Sequence, residues 1–159
     1  MGSNTSSDTR DVLDAVRRIV QALHESSRRA ERHVGVTGAQ LFVIQALADA
    51  PGASLNELAE RTHTHQSSVS VVVTRLVDRG LVRRAKAEHD GRRLQLSLTA
   101  AGRQLAGRAP DLAQDRLIAA VNGLPARRRA VLADSLKELA QAVSGARRAE
   151  MFFEDGSRK

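Results

Sequence analysis

Residues 54–102 carry the side chains whose types and spacing indicate most clearly what this chain could bind. One predicted helix within this segment begins with an amide and closely spaced hydroxyls, at Gln66, Ser67, Ser68 and Ser70. Groups of this kind can hydrogen bond to the edges of nucleic-acid bases, and arginines nearby can pair with phosphates or enter a narrow groove. The segment therefore predicts a surface that contacts a nucleic acid.

The cations follow on a predicted β-hairpin. An apolar strand start at Leu81-Val82 leads into a basic strand, Asp90-Gly91 forms a tight turn, and an alternating strand returns through residues 94–98. Strand alternation directs only some of these cations towards one side. The predicted phosphate or groove contacts are Arg83, Arg84, Lys86, Arg92 and Arg93.

Further polar contacts are predicted on the helices next to the hairpin. Thr74 could contact a base or a phosphate, and Arg75 could hold a phosphate, although pairing with Asp78 at the surface explains Arg75 equally. Ser54 and Asn56 stand at the start of a shorter helix, where free backbone amides favour an anion. Capping of that helix explains Ser54 as well.

The composition of the chain narrows the class of partner. The 159 residues carry a formal net charge of +7, and the basic residues are 22 arginines and 3 lysines. Arginine presents a planar fork that suits phosphate and guanine, so the charge favours an acidic polymer, although charge alone does not separate nucleic acid from an anionic membrane. The absence of cysteine excludes disulfides and thiolate metal sites.

The sequence gives no pattern of an enzyme or of a metal site. His63 and His65 fall in a predicted turn rather than at the helical spacing of a metal pair, and His24-Glu25 lacks the second histidine of a zinc-protease motif. No glycine-rich phosphate loop appears, and no spacing selects a catalytic triad. We therefore expect no catalytic residues, no cofactor and no metal.

The hydrophobic pattern predicts a mainly α fold with a small β-hairpin wing. Thr37 and Ser54 each open a capping-box pattern, Gly80 is placed to end a helix, and Pro110 should kink or locally break the helix around it. The predicted helices span about 9–32, 38–50, 55–61, 66–79, 99–122 and 126–148, and the strands about 82–87 and 94–98.

The hairpin and the helices before it resemble the MarR family of bacterial transcription regulators. The wing signature of that family is matched without a gap by Asp90, Arg92, Leu96, Leu98, Thr99 and Gly102. Similar matches are Leu58-Ala59-Glu60-Arg61, Ser67-Ser68-Val69-Ser70, Arg75-Leu76-Val77 and Arg79-Gly80-Leu81-Val82. The chain departs from the family at Val71, where relatives often carry a basic residue, and at His65, where a serine cap is common.

The resemblance implies a winged helix-turn-helix with dimerisation helices at both ends. The implied parts are an N-terminal dimerisation helix (9–36), a DNA-binding domain (37–100) and C-terminal dimerisation helices (101–150). Two recognition helices of a homodimer would enter successive major grooves, about 10 base pairs apart, on a pseudo-palindromic operator in double-stranded DNA. Asp90 would orient Arg92 through a charge-assisted hydrogen bond, unless Asp90-Gly91 only forms the turn.

The same resemblance implies a repressor, and such regulators are commonly released by a small anionic or phenolic ligand. Candidate ligand contacts are Arg28, Arg32, His33 and Phe42, which surface arginines and a core phenylalanine explain more simply. The alternative is an architectural, nucleoid-type protein with little sequence preference. No apolar run is long enough to span a membrane and no signal peptide is present, so we expect a cytoplasmic protein without membrane contact.

Overall fold

The computed structural model describes residues 3–86 and 94–144 of the chain. These residues form seven helices and one two-stranded antiparallel sheet, which confirms the predicted winged-helix class. In chain order the elements are α1 (Ser3–Val34), α2 (Gly38–Asp49), α3 (Leu55–Arg61), α4 (Gln66–Asp78), β1 (Val82–Lys86), β2 (Leu94–Leu98), α5 (Ala100–Ala106), α6 (Ala113–Asn122) and α7 (Ala126–Ser144).

Both predicted capping boxes are present. The Thr37 hydroxyl accepts a hydrogen bond from the Gln40 amide at 3.2 Å, and the Gln40 side chain accepts one from the Thr37 amide at 3.3 Å. The Ser54 hydroxyl and the Glu57 carboxylate form the same reciprocal pair at the start of α3, at 3.3 and 2.7 Å. These bonds satisfy backbone donors that a helix start leaves free.

Two adjacent serines of α1 hold the starts of two other helices. The Ser27 hydroxyl accepts a hydrogen bond from the Gly38 amide at 3.0 Å, and the Ser26 hydroxyl accepts one from the Ala113 amide at 2.9 Å. Leu112, the residue before α6, makes no side-chain cap of its own. The long first helix thus fixes where α2 and α6 begin.

The core lies where α2, α3, α4 and the sheet meet. Its fully buried side chains are almost all aliphatic, and burial of each contributes about 1.5–3 kcal/mol to the stability of the fold. Val77 of α4 is half-buried at the edge of this cluster. The largest fully buried residues are Leu41, Ile44, Leu47, Leu58, Leu76, Leu96, Val36, Val43, Val69, Val73 and Val82.

The hairpin is joined to the connection between α2 and α3 by an isolated β-bridge between Leu96 and Ala53. Val82 pairs with Leu98 and Lys86 with Leu94, in antiparallel register. Leu96 also exchanges backbone hydrogen bonds with the α2–α3 connection, since its amide donates to the Ala53 carbonyl at 2.9 Å and its carbonyl accepts from Gly52 at 2.9 Å. β2 is therefore hydrogen-bonded on both of its edges, to β1 on one and to residues 52–53 on the other.

One predicted helix, residues 99–122, is two helices in the structure. α5 ends at Ala106 and α6 begins at Ala113, with no helix over residues 107–112. Pro110 falls in this gap, and a proline there has no amide hydrogen to donate and its ring would clash with the preceding turn. The interruption is therefore a full break rather than a kink.

Arg79, the residue that ends α4, connects this helix to the start of α2. Its guanidinium donates to the Gln40 side-chain oxygen at 3.0 Å and to the Gly35 carbonyl at 2.8 Å. Gly35 follows α1 with a φ of +70°, so the cation lies at the carboxyl end of that helix, where positive charge is favourable. Arg79 thereby fixes the end of α4 relative to both helices.

Large apolar side chains remain exposed on α1 and α7. On α1 they repeat every three or four residues and form one stripe, and α7 has a similar stripe. In the described chain neither stripe is covered by another element. The exposed residues are Val12, Leu13, Val16 and Ile19 on α1, and Val131, Leu132, Leu136, Leu139 and Val143 on α7.

The turn between α4 and β1 packs against the first turn of α5 at very short range. The Thr99 amide donates to the Leu81 carbonyl at 3.0 Å, and the Thr99 hydroxyl donates to the Gly80 carbonyl at 2.7 Å. Gly102 lies above the same Leu81 carbonyl, and a Cβ on Gly102 would overlap its oxygen. The threonine and the glycine of the Thr-x-x-Gly motif are thus both needed for this contact.

We expect Gly102→Ala to lower the free energy of unfolding by about 3 kcal/mol, because the backbone of α5 must move away from Leu81. Gly107→Ala is the matched control, since its Cβ would lie an ordinary 3.7 Å from the Arg103 carbonyl. Urea denaturation followed by circular dichroism measures both variants. Equal stability of the two variants would contradict the close contact.

Candidate nucleic-acid interface

The two sides of α4 differ sharply in burial and chemistry. Val69, Val72, Val73 and Leu76 are buried against the core. The opposite side carries Gln66, Ser67, Val71 and Thr74, all exposed, with half-buried Ser70 among them. Ser67, Ser70, Val71 and Thr74 follow the spacing of a single helical face. We refer to Gln66, Ser67, Ser70, Val71 and Thr74 as the outer face of α4.

Ser68 does not belong to the outer face, although its neighbours in the sequence do. Its side chain is only 7% exposed. Ser68 precedes Val72 and Leu76 by four and eight residues, so helical periodicity places it on the buried side. That spacing was the signal that could have removed Ser68 from the predicted contacts, and we leave it out of the interface.

Thr74 connects the outer face of α4 to the wing. Its hydroxyl donates to the Ser70 carbonyl at 2.9 Å and accepts a hydrogen bond from the Arg84 guanidinium at 2.9 Å. A hydroxyl has one donor and two acceptor sites, so one acceptor remains. The structure therefore gives Thr74 a positioning contact with Arg84, which the sequence pattern did not reveal.

Arg83 and Arg84 lie on opposite faces of the sheet, as strand alternation requires. Arg84 pairs with Leu96 and turns towards α4, whereas Arg83 pairs with Ser97 and lines a cavity of about 490 Å³ beside Arg103. Lys86 is exposed on β1, two residues beyond Arg84. Of the described wing cations, Arg84 and Lys86 share the sheet face that is directed towards α4.

A groove of about 540 Å³ brings several of the predicted residues together. It lies between the starts of α3 and α4 and the face of the sheet that is directed towards α4. The predicted residues that line it are Ser54, Asn56, Gln66, Ser70 and Arg84. The structure thus places residues from α3, α4 and β1 around one concave surface.

Ser54 and Asn56 contribute unequally to this groove. The Ser54 hydroxyl already accepts from the Glu57 amide and donates to the Glu57 carboxylate at 2.8 Å. Asn56 is exposed. Capping accounts for the Ser54 hydroxyl, so of these two predicted residues Asn56 is the one whose side chain stays available to a ligand.

The start of α4 has no side-chain cap. His65 occupies the N-cap position and its side chain makes no capping hydrogen bond. His63 has a φ of +51° in the preceding turn. Within residues 3–86 and 94–144, no group of three His, Cys, Asp or Glu residues could hold a metal ion.

The remaining predicted site residues are placed as follows. Arg75 is half-buried on α4. Asp90, Arg92 and Arg93 lie outside the described residues, so their predicted roles stay predictions.

The predicted ligand contacts are not gathered by the structure into one environment. Arg28, Arg32 and His33 are exposed near the end of α1. Phe42 belongs to the core, with 5% of its surface exposed. Packing in the core therefore explains Phe42, and Arg28, Arg32 and His33 remain as candidate ligand contacts.

Comparison with known proteins agrees with this architecture. Residues 34–93 match a sequence model described as MarR family. The HTH-type transcriptional regulator FarR of Neisseria gonorrhoeae is 30% identical over 121 residues, which are 76% of this chain and 83% of FarR. The chain belongs to the MarR family.

Two further comparisons show how far the similarity extends along the chain. The HTH-type transcriptional repressor MdtR of Bacillus subtilis is 30% identical over 58% of this chain and 59% of MdtR. The solved structure of BpsR from Bordetella bronchiseptica, described with 6-hydroxynicotinic acid as a regulator of its DNA binding, has 26% identity and a TM-score of 0.56. The alignment covers 81% of this chain and 92% of BpsR.

The chain spans little more than half of the length of the curated relatives it matches first, between 53% and 59%. These relatives are named as repressors, not as enzymes. No helix among the described residues is long and apolar enough to cross a membrane.

Proposed function

We propose that this MarR-family chain is the subunit of a homodimeric, sequence-specific DNA-binding regulator that acts as a repressor. The observation that carries the proposal is the outer face of α4, a row of small side chains and an amide beside the wing arginine Arg84. The buried side of the same helix is part of the core. A helix anchored in this way presents its outer face to a major groove without reordering.

Affinity and specificity come from different residues in this proposal. Arg84 and Lys86, with Arg92 and Arg93 on the rest of the wing, pair with phosphates or a groove edge, and Arg75 and Asn56 support this anchoring. Gln66, Ser67 and Ser70 contact base edges. Asp90 orients Arg92, and Thr74 orients Arg84.

A second copy of the chain covers the exposed apolar stripes of α1 and α7. Nine large apolar side chains of these two helices are at least 38% exposed in the described chain. A lone subunit would leave this area in water, whereas a two-fold partner presents the same stripes in return. Residues 9–36 and 101–150 thereby supply the dimer, and residues 37–100 the DNA-binding domain.

The last part of the proposal is that a small aromatic acid releases the protein from its operator DNA. The relative BpsR, whose DNA binding is regulated by 6-hydroxynicotinic acid, supports this class of ligand. In this chain Arg28, Arg32 and His33 offer exposed positive or polar groups near the end of α1. A carboxylate would pair with an arginine fork there.

Selection from a random pool of duplex DNA tests the DNA-binding function. We expect enrichment of an inverted repeat with half-sites about 10 base pairs apart, bound at least about 1,000-fold more tightly than a scrambled duplex. Arg84→Ala should weaken binding to both duplexes by a similar factor and reduce the salt slope by about 1. Gln66→Ala should weaken binding to the selected duplex only.

A pool that yields no common sequence, with steep salt dependence on every duplex, would instead indicate the architectural type of DNA-binding protein.

The dimer is tested with a charge placed in the α7 stripe. Leu136 is 47% exposed, and we expect Leu136→Glu to shift the protein from dimer to monomer because the carboxylate would be buried without a partner. Light scattering after size-exclusion chromatography measures the mass. Gln141→Glu adds the same charge to the side of α7 opposite Leu139 and should leave the dimer intact. Equal masses for the two variants would argue against the α7 interface.

Ligand release is tested by titrating the operator complex with 6-hydroxynicotinic acid, benzoic acid and hydroxybenzoic acids. We expect at least one of these compounds to dissociate the complex, and Arg28→Ala or Arg32→Ala to reduce its effect by about tenfold, which corresponds to the loss of a charge-assisted hydrogen bond. Arg10→Ala, an exposed position near the start of α1, is the matched control. An operator complex insensitive to all of these acids would remove ligand release and leave DNA binding unaffected.

A further inference from the structure

Val71 is an exposed apolar residue on α4, outside the core and outside the apolar stripes of α1 and α7 that we assign to the dimer. Among the described residues, nine of the large exposed apolar side chains lie on α1 and α7, and the other two are Val71 and Leu94. Leu94 is the first residue of β2. Val71 alone lies on α4, with 52% of its surface exposed.

The position of Val71 is within the outer face of α4. It follows Ser67 by four residues and precedes Thr74 by three, so the three side chains are neighbours on one helical face. Ser70, the adjacent residue, lines the groove with Arg84. Val71 therefore places two methyl groups among hydroxyls on the surface directed towards DNA.

Helix stability does not explain a valine at this exposed position. Alanine, lysine or glutamine would favour the helix more than valine does, since a β-branched side chain loses χ1 freedom there. The core side of α4 is already filled by Val69, Val72, Val73 and Leu76. The restricted rotamer has one advantage for recognition, because a stiff side chain loses little entropy when it makes a contact.

The chemistry of the major groove supplies a partner for these methyl groups. The edges of the bases present hydrogen-bond donors and acceptors there, and the apolar group that they present is the 5-methyl group of thymine. The serine hydroxyls and the Gln66 amide can form hydrogen bonds with these donors and acceptors. Valine can gain free energy only by removing apolar surface from water.

We propose that Val71 is a specificity-determining residue that contacts the 5-methyl group of one thymine in each operator half-site. The inference rests on the proposed DNA-binding function and deepens it. A contact of this kind selects thymine over cytosine, which has hydrogen in place of the methyl group. It also accounts for a valine where a basic side chain would contact phosphates or guanine instead.

Removal of the methyl group from either partner tests the contact. In the selected operator, each thymine of a half-site is replaced in turn by deoxyuridine, together with its symmetry-related thymine, and dissociation constants are measured by fluorescence anisotropy at fixed salt. We expect one such pair of replacements to weaken binding of the unmodified protein about fifteenfold, which corresponds to about fourfold for each buried methyl group.

Val71→Ala should weaken binding to the thymine operator and abolish the difference between thymine and deoxyuridine at that position. Ser67→Ala is the matched control, since it changes the same face of α4 without removing an apolar group and should retain the difference. The thermal midpoint of Val71→Ala should be equal or higher, because alanine favours the helix. A lower affinity of this variant for DNA is then not a folding defect.

Two results would overturn the inference while DNA binding stands. One is an operator in which no thymine is sensitive to loss of its methyl group, and the other is an undiminished thymine preference in Val71→Ala. If the unmodified protein selects no DNA sequence, the proposed function fails and the role of Val71 fails with it.

Discussion

The carbonyl group of Leu81 is the point on which the winged helix-turn-helix part of the fold depends. It follows the end of α4, directly precedes β1, accepts a hydrogen bond from Thr99 just after β2, and lies directly beneath Gly102 of α5. Four elements therefore meet within one turn of backbone, and only a residue without a side chain fits above the oxygen. This junction fixes the wing and α4 in a single orientation.

From this junction follows the arrangement of the surface that we assign to DNA. The wing is held at the level of one residue pair, Arg84 and Leu96, because the Leu96 backbone bonds to Ala53 and the Arg84 guanidinium donates to Thr74. The inner side of α4 is occupied by the core, so only its outer face is available. Arg84 and the outer face of α4 are thereby placed beside each other before any ligand binds. This arrangement lowers the entropic cost of binding.

Most of the elements were predictable because their signals are local. The capping boxes at Thr37 and Ser54, the end of α4 at Gly80 and the alternation of β2 each depend on residues within a few positions of one another. The prediction joined residues 99–122 in one helix with a kink or local break at Pro110, and the structure has the break, over residues 107–112. It also placed Ser68 among the contacts, where composition was given more weight than helical spacing.

The sequence by itself determined the class of fold and the family, and it supplied the residue types of the candidate interface, because caps, turns and periodicity are properties of short segments. The tertiary structure decided which of those residues share a surface. It buried Ser68, directed Arg84 onto Thr74 and turned Arg83 to the other face of the sheet. It also made Ser26 the cap of a helix that begins 87 residues later. Such contacts depend on how distant segments pack, and no local pattern encodes that packing.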